Sequence, residues 1–223
     1  QTSQIRKYQE AKDKLLSCHQ VIAIDSLNQN GEFCVGAESD DSSFYPERIN
    51  PEDPAVIVYT AGLTGKPLGA VLTHGNLCEQ MDMIQPIFRR GPDDVGLCLI
   101  PLFHTFGATV NMLNVIQAGC STVMMDRLTM ESLFGAIERE KITYIAAVPR
   151  LYVGMIMYEK ASKYDLSSLK ICVTGGSAMP ADFIPVFEHK FKVRMLEGYG
   201  LTEASPVCSF NRLENVAKIG SIG

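Results

Sequence analysis

The sequence predicts an α/β fold, a mostly parallel sheet flanked by helices. Short β-branched runs alternate with helix-patterned stretches from residue 55 to residue 197, which implies right-handed strand–helix–strand crossovers. Of 223 residues, 46% are apolar, enough for one sizeable core or two small ones. Glycine-rich segments directly follow several of the strands, and in such sheets ligands lie beyond the carboxyl ends of the strands.

In chain order, residues 21–24 (Val-Ile-Ala-Ile) are a candidate strand after a lysine-bearing segment that could be helical. Residues 28–54 are polar, with prolines at 46, 51 and 54, and read as a surface connection that could hold a short helix. Residues 55–59 (Ala-Val-Ile-Val-Tyr) read as a buried strand. Further strands are expected at 95–100, 122–125, 144–147, 169–174 and 193–197. A helix is expected from 129 to 141: Thr129 can cap it, Glu131 lies in its first turn, and Lys141 sits near the negative end of its dipole. Its apolar stripe is Leu133, Phe134 and Ile137. Pro180 suits the first turn of the next helix, along which Phe183, Val186 and Phe187 recur at helical spacing, with Pro185 close to its start.

Composition excludes several classes. A net charge of −5 argues against a general nucleic-acid binder, and a 20% charged fraction with this apolar content argues against disorder. No run of 18 apolar residues exists that would make a membrane-spanning helix, and the start Gln-Thr-Ser-Gln carries no export signal. Seven cysteines (18, 34, 78, 98, 120, 172, 208), with no Cys-x-x-Cys pair, read as reduced and mostly buried thiols of a cytoplasmic protein, without a zinc site. The ending at Gly220-Ser-Ile-Gly223 and the absent initiator Met suggest a piece of a longer chain.

Chemistry concentrates in three loops. Residues 60–69 (Thr-Ala-Gly-Leu-Thr-Gly-Lys-Pro-Leu-Gly) can wrap backbone N–H groups and hydroxyls around phosphate oxygens, or can be a glycine-rich turn into a helix near Asn76. They are not a Walker loop, because Pro67 stands five residues after Gly62, where that pattern needs glycine. Residues 173–180 (Val-Thr-Gly-Gly-Ser-Ala-Met-Pro) let a flat ligand approach the backbone, or form a plain tight turn before a helix beginning at Pro180. In residues 197–206 (Glu-Gly-Tyr-Gly-Leu-Thr-Glu-Ala-Ser-Pro), glycines flank a ring able to stack on a base. Thr202 and Glu203 then offer a hydroxyl and a hard carboxylate suited to phosphate and Mg²⁺.

Taken together and in this order, the loops resemble those of the adenylate-forming enzymes, the superfamily of acyl-CoA synthetases, luciferases and nonribosomal-peptide adenylation domains. Tyr59 to His74 is similar to that family's phosphate loop, Pro101-Leu-Phe-His-Thr-Phe-Gly107 to its next signature, and Gly198-Tyr-Gly-Leu-Thr-Glu-Ala-Ser-Pro206 to its most diagnostic one. Gly175-Gly176-Ser177 and Val148-Pro149 fall where the family has its adenine-side and acyl-side walls. The likeness runs from about Val21 to Gly223, and the Ala-Ser-Pro after Thr202-Glu203 leans towards fatty acyl-CoA synthetases.

The resemblance implies an enzyme, an acid–thiol ligase that uses ATP, Mg²⁺ and coenzyme A. A carboxylate attacks the α-phosphate of ATP and expels pyrophosphate; the thiolate of coenzyme A then attacks the acyl adenylate and releases AMP. Carried over, Thr60, Gly62, Thr64, Gly65 and Lys66 would cradle the β- and γ-phosphates, Thr202 the α-phosphate, and Glu203 would hold Mg²⁺. Tyr199, flanked by Gly198 and Gly200, would stack on adenine against Gly175, Gly176 and Ser177. His104 would sit beside the carboxylate, where an imidazole can donate a hydrogen bond or gate the site. His74 reads as structural, and His19 and His189 as surface residues. Phe103, Phe106, Met112, Met155 and Met157 could line an acyl tunnel or be plain core.

The chain departs from the pattern. The family loop usually reads Thr-Ser-Gly-Thr-Thr-Gly-x-Pro-Lys-Gly; here Ala61, Leu63 and Leu68 replace two hydroxyls and a cation. A lost charged hydrogen bond costs about 1.5–3 kcal/mol, or roughly tenfold or more in affinity. The family continues with a Thr-Gly-Asp motif, a hinge and a small lysine-bearing C-terminal domain. None of these follows Gly223, so residues 1–223 are expected to be a partial N-terminal, ATP- and acyl-binding domain with little turnover alone. Two other readings stand beside the fatty acyl-CoA synthetase: adenylation of an aryl acid or for a carrier protein, and a degenerate module that binds nucleotide or acyl chain without chemistry. The acid, the oligomeric state and any membrane association are not legible.

Overall fold

The computed structural model describes residues 48–62, 65–125, 128–215 and 218–223, and the account below concerns the unit Ile49–Gly223. The expected strand at 21–24, the lysine-bearing segment before it, most of the polar connection, and Leu63 and Thr64 lie outside the described residues. β1 (Pro54–Thr60) and β2 (Leu68–Thr73) form a two-stranded antiparallel ribbon, with Tyr59 opposite Gly69 and Thr60 opposite Leu68. The second sheet has six strands: β3 (Val95–Cys98), β4 (Ser121–Met124), β5 (Tyr144–Ala147), β6 (Ile171–Thr174), β7 (Arg194–Gly200) and β8 (Val207–Phe210). Their order is β4-β3-β5-β6-β7-β8, with β8 antiparallel to β7 and every other pair parallel. The mostly parallel α/β fold read from the sequence is therefore the fold observed.

β5 shows why these residues make a central strand. All four are buried, the run expected of a parallel strand covered on both faces. Ile145 and Ala147 point into one core cluster, with Leu133, Phe134, Ile137, Tyr152, Cys172 and Phe187. Tyr144 and Ala146 point into the other, with Ile84, Phe88, Val110, Val173 and Leu196. The period of two thus divides the core into two layers.

The first layer is covered by α3 (Met130–Glu140), α4 (Pro149–Met157) and α5 (Phe183–Phe191); the second by α1 (His74–Phe88) and a π-helical segment, Phe106–Leu113, which runs into the single turn α2 (Asn114–Gln117). α3 begins where its residues require: Thr129 Oγ1 accepts from Ser132 N at 3.0 Å, and Ser132 Oγ accepts from Thr129 N at 2.9 Å, a reciprocal cap. Its stripe Leu133, Phe134 and Ile137 is fully buried, each side chain contributing about 1.5–3 kcal/mol. The Phe134 ring lies 5.1, 5.6 and 6.0 Å from those of Tyr158, Tyr164 and Phe191, so Phe134→Ala would cost about 3–5 kcal/mol.

Four expectations are corrected. Residues 55–59 form a strand, but an exposed one: among the described residues it pairs only with β2, and Ile57 and Tyr59 are 56% and 73% exposed. The 60–69 segment does not lead directly into a helix; it closes the β1–β2 hairpin, and α1 starts at His74 under a Thr73 cap. The helix after β6 begins at Phe183, not at Pro180. Phe183 N donates to Pro180 O at 2.9 Å in a preceding turn, and Pro185 sits in the first helical turn, where its missing N–H leaves no bond unmade. Of the five described cysteines, all free, Cys98 and Cys172 are buried while Cys78 and Cys208 are exposed, so burial is less general than expected. No helix of the described residues is long and apolar enough to cross a membrane.

Candidate active site

The switch in strand order falls at β3, whose chain neighbour β4 lies on one side and whose other partner β5 on the opposite side. Beyond the carboxyl ends of the parallel strands lies a cavity of about 610 Å³. The loop after β3 brings His104, Thr105 and Phe106 to it; the end of β6 brings Thr174, Gly175 and Gly176; β7 and its turn bring Gly198, Tyr199, Gly200, Thr202 and Glu203. The β1–β2 hairpin supplies Thr60, Ala61, Gly62 and Leu68. Segments far apart in the chain thus meet around one space, which suits a small-molecule ligand.

Close backbone approach explains two of the glycines. Gly62 has φ +69, and a Cβ there would fall 2.1 Å from Lys66 O, so only glycine lets the hairpin close so tightly. A Cβ on Gly200 would fall 2.3 Å from Pro206 O, the oxygen that accepts from Leu201 N at 2.8 Å. That contact folds the turn Thr202–Ala204 back on itself and presents Thr202 and Glu203 at the cavity.

Phe106 N donates to His104 Nδ1 at 3.1 Å. In its neutral form the imidazole then carries its proton on Nε2, free to donate to a ligand. β6 is tied from behind by Tyr152, whose buried hydroxyl lies 2.7 Å from Val173 O and 2.9 Å from Ile145 O. Glu197, buried in the middle of β7, accepts from Gly220 N at 3.3 Å through Oε2. Asn211 Nδ2 donates to Ser221 O at 2.6 Å, so residues 220–221 are held beside β7 and the end of β8.

Of the residues singled out in the sequence, Thr60, Gly62, His104, Gly175, Gly176, Gly198, Tyr199, Gly200, Thr202 and Glu203 line this one cavity. Gly65 and Lys66 do not; they lie at the exposed tip of the hairpin. Ser177 is exposed past the β6 turn, outside the lining, and Thr64 is outside the described residues. The five residues read as acyl tunnel or plain core are placed differently from one another. Only Phe106 reaches the cavity; Met155 is core, Met112 is partly buried away from it, and Phe103 and Met157 are 83% and 71% exposed. His189 is exposed, as a surface residue should be, and His74 opens α1. Val207 and Phe210 of β8, with Val173, add apolar wall that sequence reasoning did not assign. The alternation in residues 207–210 was too short to signal it.

Among the described residues no group of three or more His, Cys, Asp and Glu side chains could hold a metal. Glu203 stands at the cavity as a single hard carboxylate. That donor set fits Mg²⁺, which keeps waters and shares its coordination between one or two carboxylates and substrate phosphates.

The sequence model of the family described as "AMP-binding enzyme" matches residues 1–223. The chain is 33% identical over 217 residues to 4-coumarate–CoA ligase 2 of Oryza sativa subsp. japonica, covering 91% of this chain and 38% of that protein. It is 35% identical over 180 residues to a long-chain-fatty-acid–CoA ligase of Bacillus subtilis (strain 168), covering 79% and 32%. It therefore spans about a third of the length of the curated relatives it matches. The fold is that of ATP-bound MatB from Rhodopseudomonas palustris, with TM-score 0.81 at 22% identity over 99% of this chain and 43% of that one. It is also similar to the anthranilate CoA ligase AuaEII in complex with anthranoyl-AMP, with TM-score 0.72 at 27% identity over 78% and 34%. The early likeness to adenylate-forming enzymes and the match along the whole sequence agree: this chain belongs to the AMP-binding enzyme family.

Proposed function

We propose that the chain is the nucleotide- and acid-binding part of an acid–thiol ligase that activates an apolar, fatty carboxylic acid with ATP and passes it to coenzyme A. The observation that carries this reading is the convergence of Thr60 and Gly62, Gly175 and Gly176, Tyr199, and Thr202 and Glu203 on one cavity with His104 at its wall. The lean to a fatty acid rests on the likeness to the long-chain ligase and on the apolar wall of Phe106, Val173, Val207 and Phe210. The likeness to 4-coumarate–CoA ligases favours an aryl acid as the second reading. The five free thiols among the described residues fit a reducing compartment, the cytoplasm.

In this reading the Tyr199 ring covers one face of adenine, and the Gly175-Gly176 backbone, where Gly176 has φ +85, lies against the other. Thr202 donates its hydroxyl to the α-phosphate. His104 donates from Nε2 to the acid's carboxylate and so orients one oxygen towards phosphorus. The carboxylate oxygen forms the new bond to the α-phosphorus as the bond to pyrophosphate breaks. Mg²⁺ held by Glu203 would neutralise charge on the phosphate oxygens. With no acid or base needed for this step, positioning and charge compensation are the work of the site.

Calorimetry of the chain with ATP and MgCl₂ tests the nucleotide reading. Binding should depend on Mg²⁺ and fall about tenfold or more in Glu203→Gln, which keeps the shape and removes the charge. Sulfamoyl-adenosine mimics of the palmitoyl and 4-coumaroyl adenylates separate the acid classes. Tighter binding of the palmitoyl mimic is expected, and a preference for the coumaroyl one replaces fatty by aryl.

A further inference from the structure

The cavity wall is poor in positive charge. Among the described residues lining it there is no lysine or arginine, and its one formally charged side chain, Glu203, is negative. Where the hairpin meets the cavity, Leu68 presents an isobutyl group directly across the ribbon from Thr60, whose Oγ1 donates to Leu68 O at 3.5 Å. Lys66 is nearby in sequence but lies at the hairpin tip, outside the lining. The other side chains able to meet an anion are hydrogen-bond donors, the hydroxyls of Thr60, Thr105, Thr174, Tyr199 and Thr202 and the His104 imidazole, together with backbone N–H groups of the glycine turns. Such donors suffice for a phosphate group of low charge, but each added phosphate brings charge that this wall does not answer.

We infer that Leu68 sets the phosphate selectivity of the cavity, which holds a nucleoside monophosphate, free or esterified, in preference to the metal-free triphosphate. The inference rests on the reading of the cavity as a nucleotide site and adds to it which charge state is held. Leu68 is 61% exposed and sits in a two-stranded ribbon, so replacing it by lysine places an ammonium at the phosphate end without disturbing the core.

The test is calorimetry of the chain with AMP in EDTA, ATP in EDTA, and ATP with MgCl₂, for wild type, Leu68→Lys and the uncharged Leu68→Met. Thermal melts accompany each variant. Wild type should bind AMP about tenfold or more tightly than metal-free ATP, with MgCl₂ closing the gap. Leu68→Lys should strengthen metal-free ATP by about tenfold and AMP by less, whereas Leu68→Met should keep the wild-type ratio. Metal-free ATP bound as tightly as AMP by wild type overturns the inference. So does a Leu68→Lys variant with an unchanged melt and unchanged ATP affinity. A folded chain that binds no nucleotide under any condition overturns the nucleotide reading itself, a result distinct from either.

Discussion

Replacing Tyr152 by phenylalanine removes one oxygen and no carbon from the centre of the sheet. The side chain is fully buried, and its hydroxyl lies 2.9 Å from Ile145 O and 2.7 Å from Val173 O. Burial pushes this phenol well above its ordinary value, so it keeps its proton throughout the usable pH range. One proton serves one carbonyl at a time; the two acceptors share it, one on β5 and one on β6. Packing survives the change, since the ring stays 5.2 Å from Phe187 in an edge-on contact. What is lost is one buried hydrogen bond and the satisfaction of a carbonyl, together about 1–2 kcal/mol. With a urea dependence of about 2 kcal/mol per molar, the unfolding midpoint should drop by about 0.5–1 M. Equilibrium urea unfolding followed by circular dichroism measures this, with Tyr152→Ala as a packing control expected to cost about 3–5 kcal/mol. A midpoint shift for Tyr152→Phe below about 0.2 M at unchanged slope would refute the idea that the hydroxyl clamps the two strand ends. Because Val173 directly precedes Thr174 and Gly175 at the cavity, nucleotide affinity should weaken in the same variant.

Gly200→Ala must push Pro206 O away from a Cβ placed 2.3 Å from it, at a cost of about 1–3 kcal/mol, and nucleotide binding should fall even in folded protein, as calorimetry would show. Asp94 is a case of opposed effects. Burial would raise it, but hydrogen bonds from Lys170 at 2.7 Å, Gly91 N and Thr143 outweigh that and hold its carboxyl below the ordinary 3.8. Its folded value lies below its unfolded value, so its stabilisation is present above pH 3.8 and fades as pH falls through the folded value; Asp94→Asn should flatten that part of an acid-unfolding curve. Among the five described cysteines, thiol labelling of native protein should modify Cys78 and Cys208 first and leave Cys172, fully buried and with its thiol pushed up by that burial, until unfolding.

Periodicity and caps made much of the large sheet legible. Residues 144–147 were read with the observed bounds, and the helix after Thr129 begins under the cap its sequence offers. The hairpin was misjudged because a β-branched run reads the same whether both faces are buried or one is open, and Tyr59 could not announce that its strand pairs with β2 in an exposed ribbon. Strand β2 went unread, its first two residues falling in the 60–69 loop and Gly69 interrupting its alternation; the missing Cβ is what allows Ile57, whose Cγ2 would lie 2.8 Å from it, to cross the ribbon. In the site, the glycine, threonine and glutamate pattern located the cavity residues on β6 and β7, since strand ends carry them there directly. Gly65, Lys66 and Ser177, adjacent in sequence to lining residues, are placed outside the lining and turned to solvent by the hairpin tip and the β6 turn. The π-helical turn could not be read at all, because nothing in Phe106–Leu113 distinguishes its composition from that of an α-helix.

That wide turn makes the length of its segment matter as much as its side chains. Gly107 can enter it only because it lacks a Cβ, which would fall 2.4 Å from Pro101 O, and Asn114 N closes it onto Thr109 O, five residues back. Each residue of an α-helix advances the chain by about 100° around the axis. Deleting a single residue between Phe106 and Leu113 would allow regular α-helical bonding and at the same time rotate Phe106 and the imidazole of His104 by about that angle relative to Asn114. A shorter relative could therefore gain a smoother helix and lose its ligand in one step. Insertions and deletions here, more than point substitutions, are the changes by which such a site would be abolished or re-aimed.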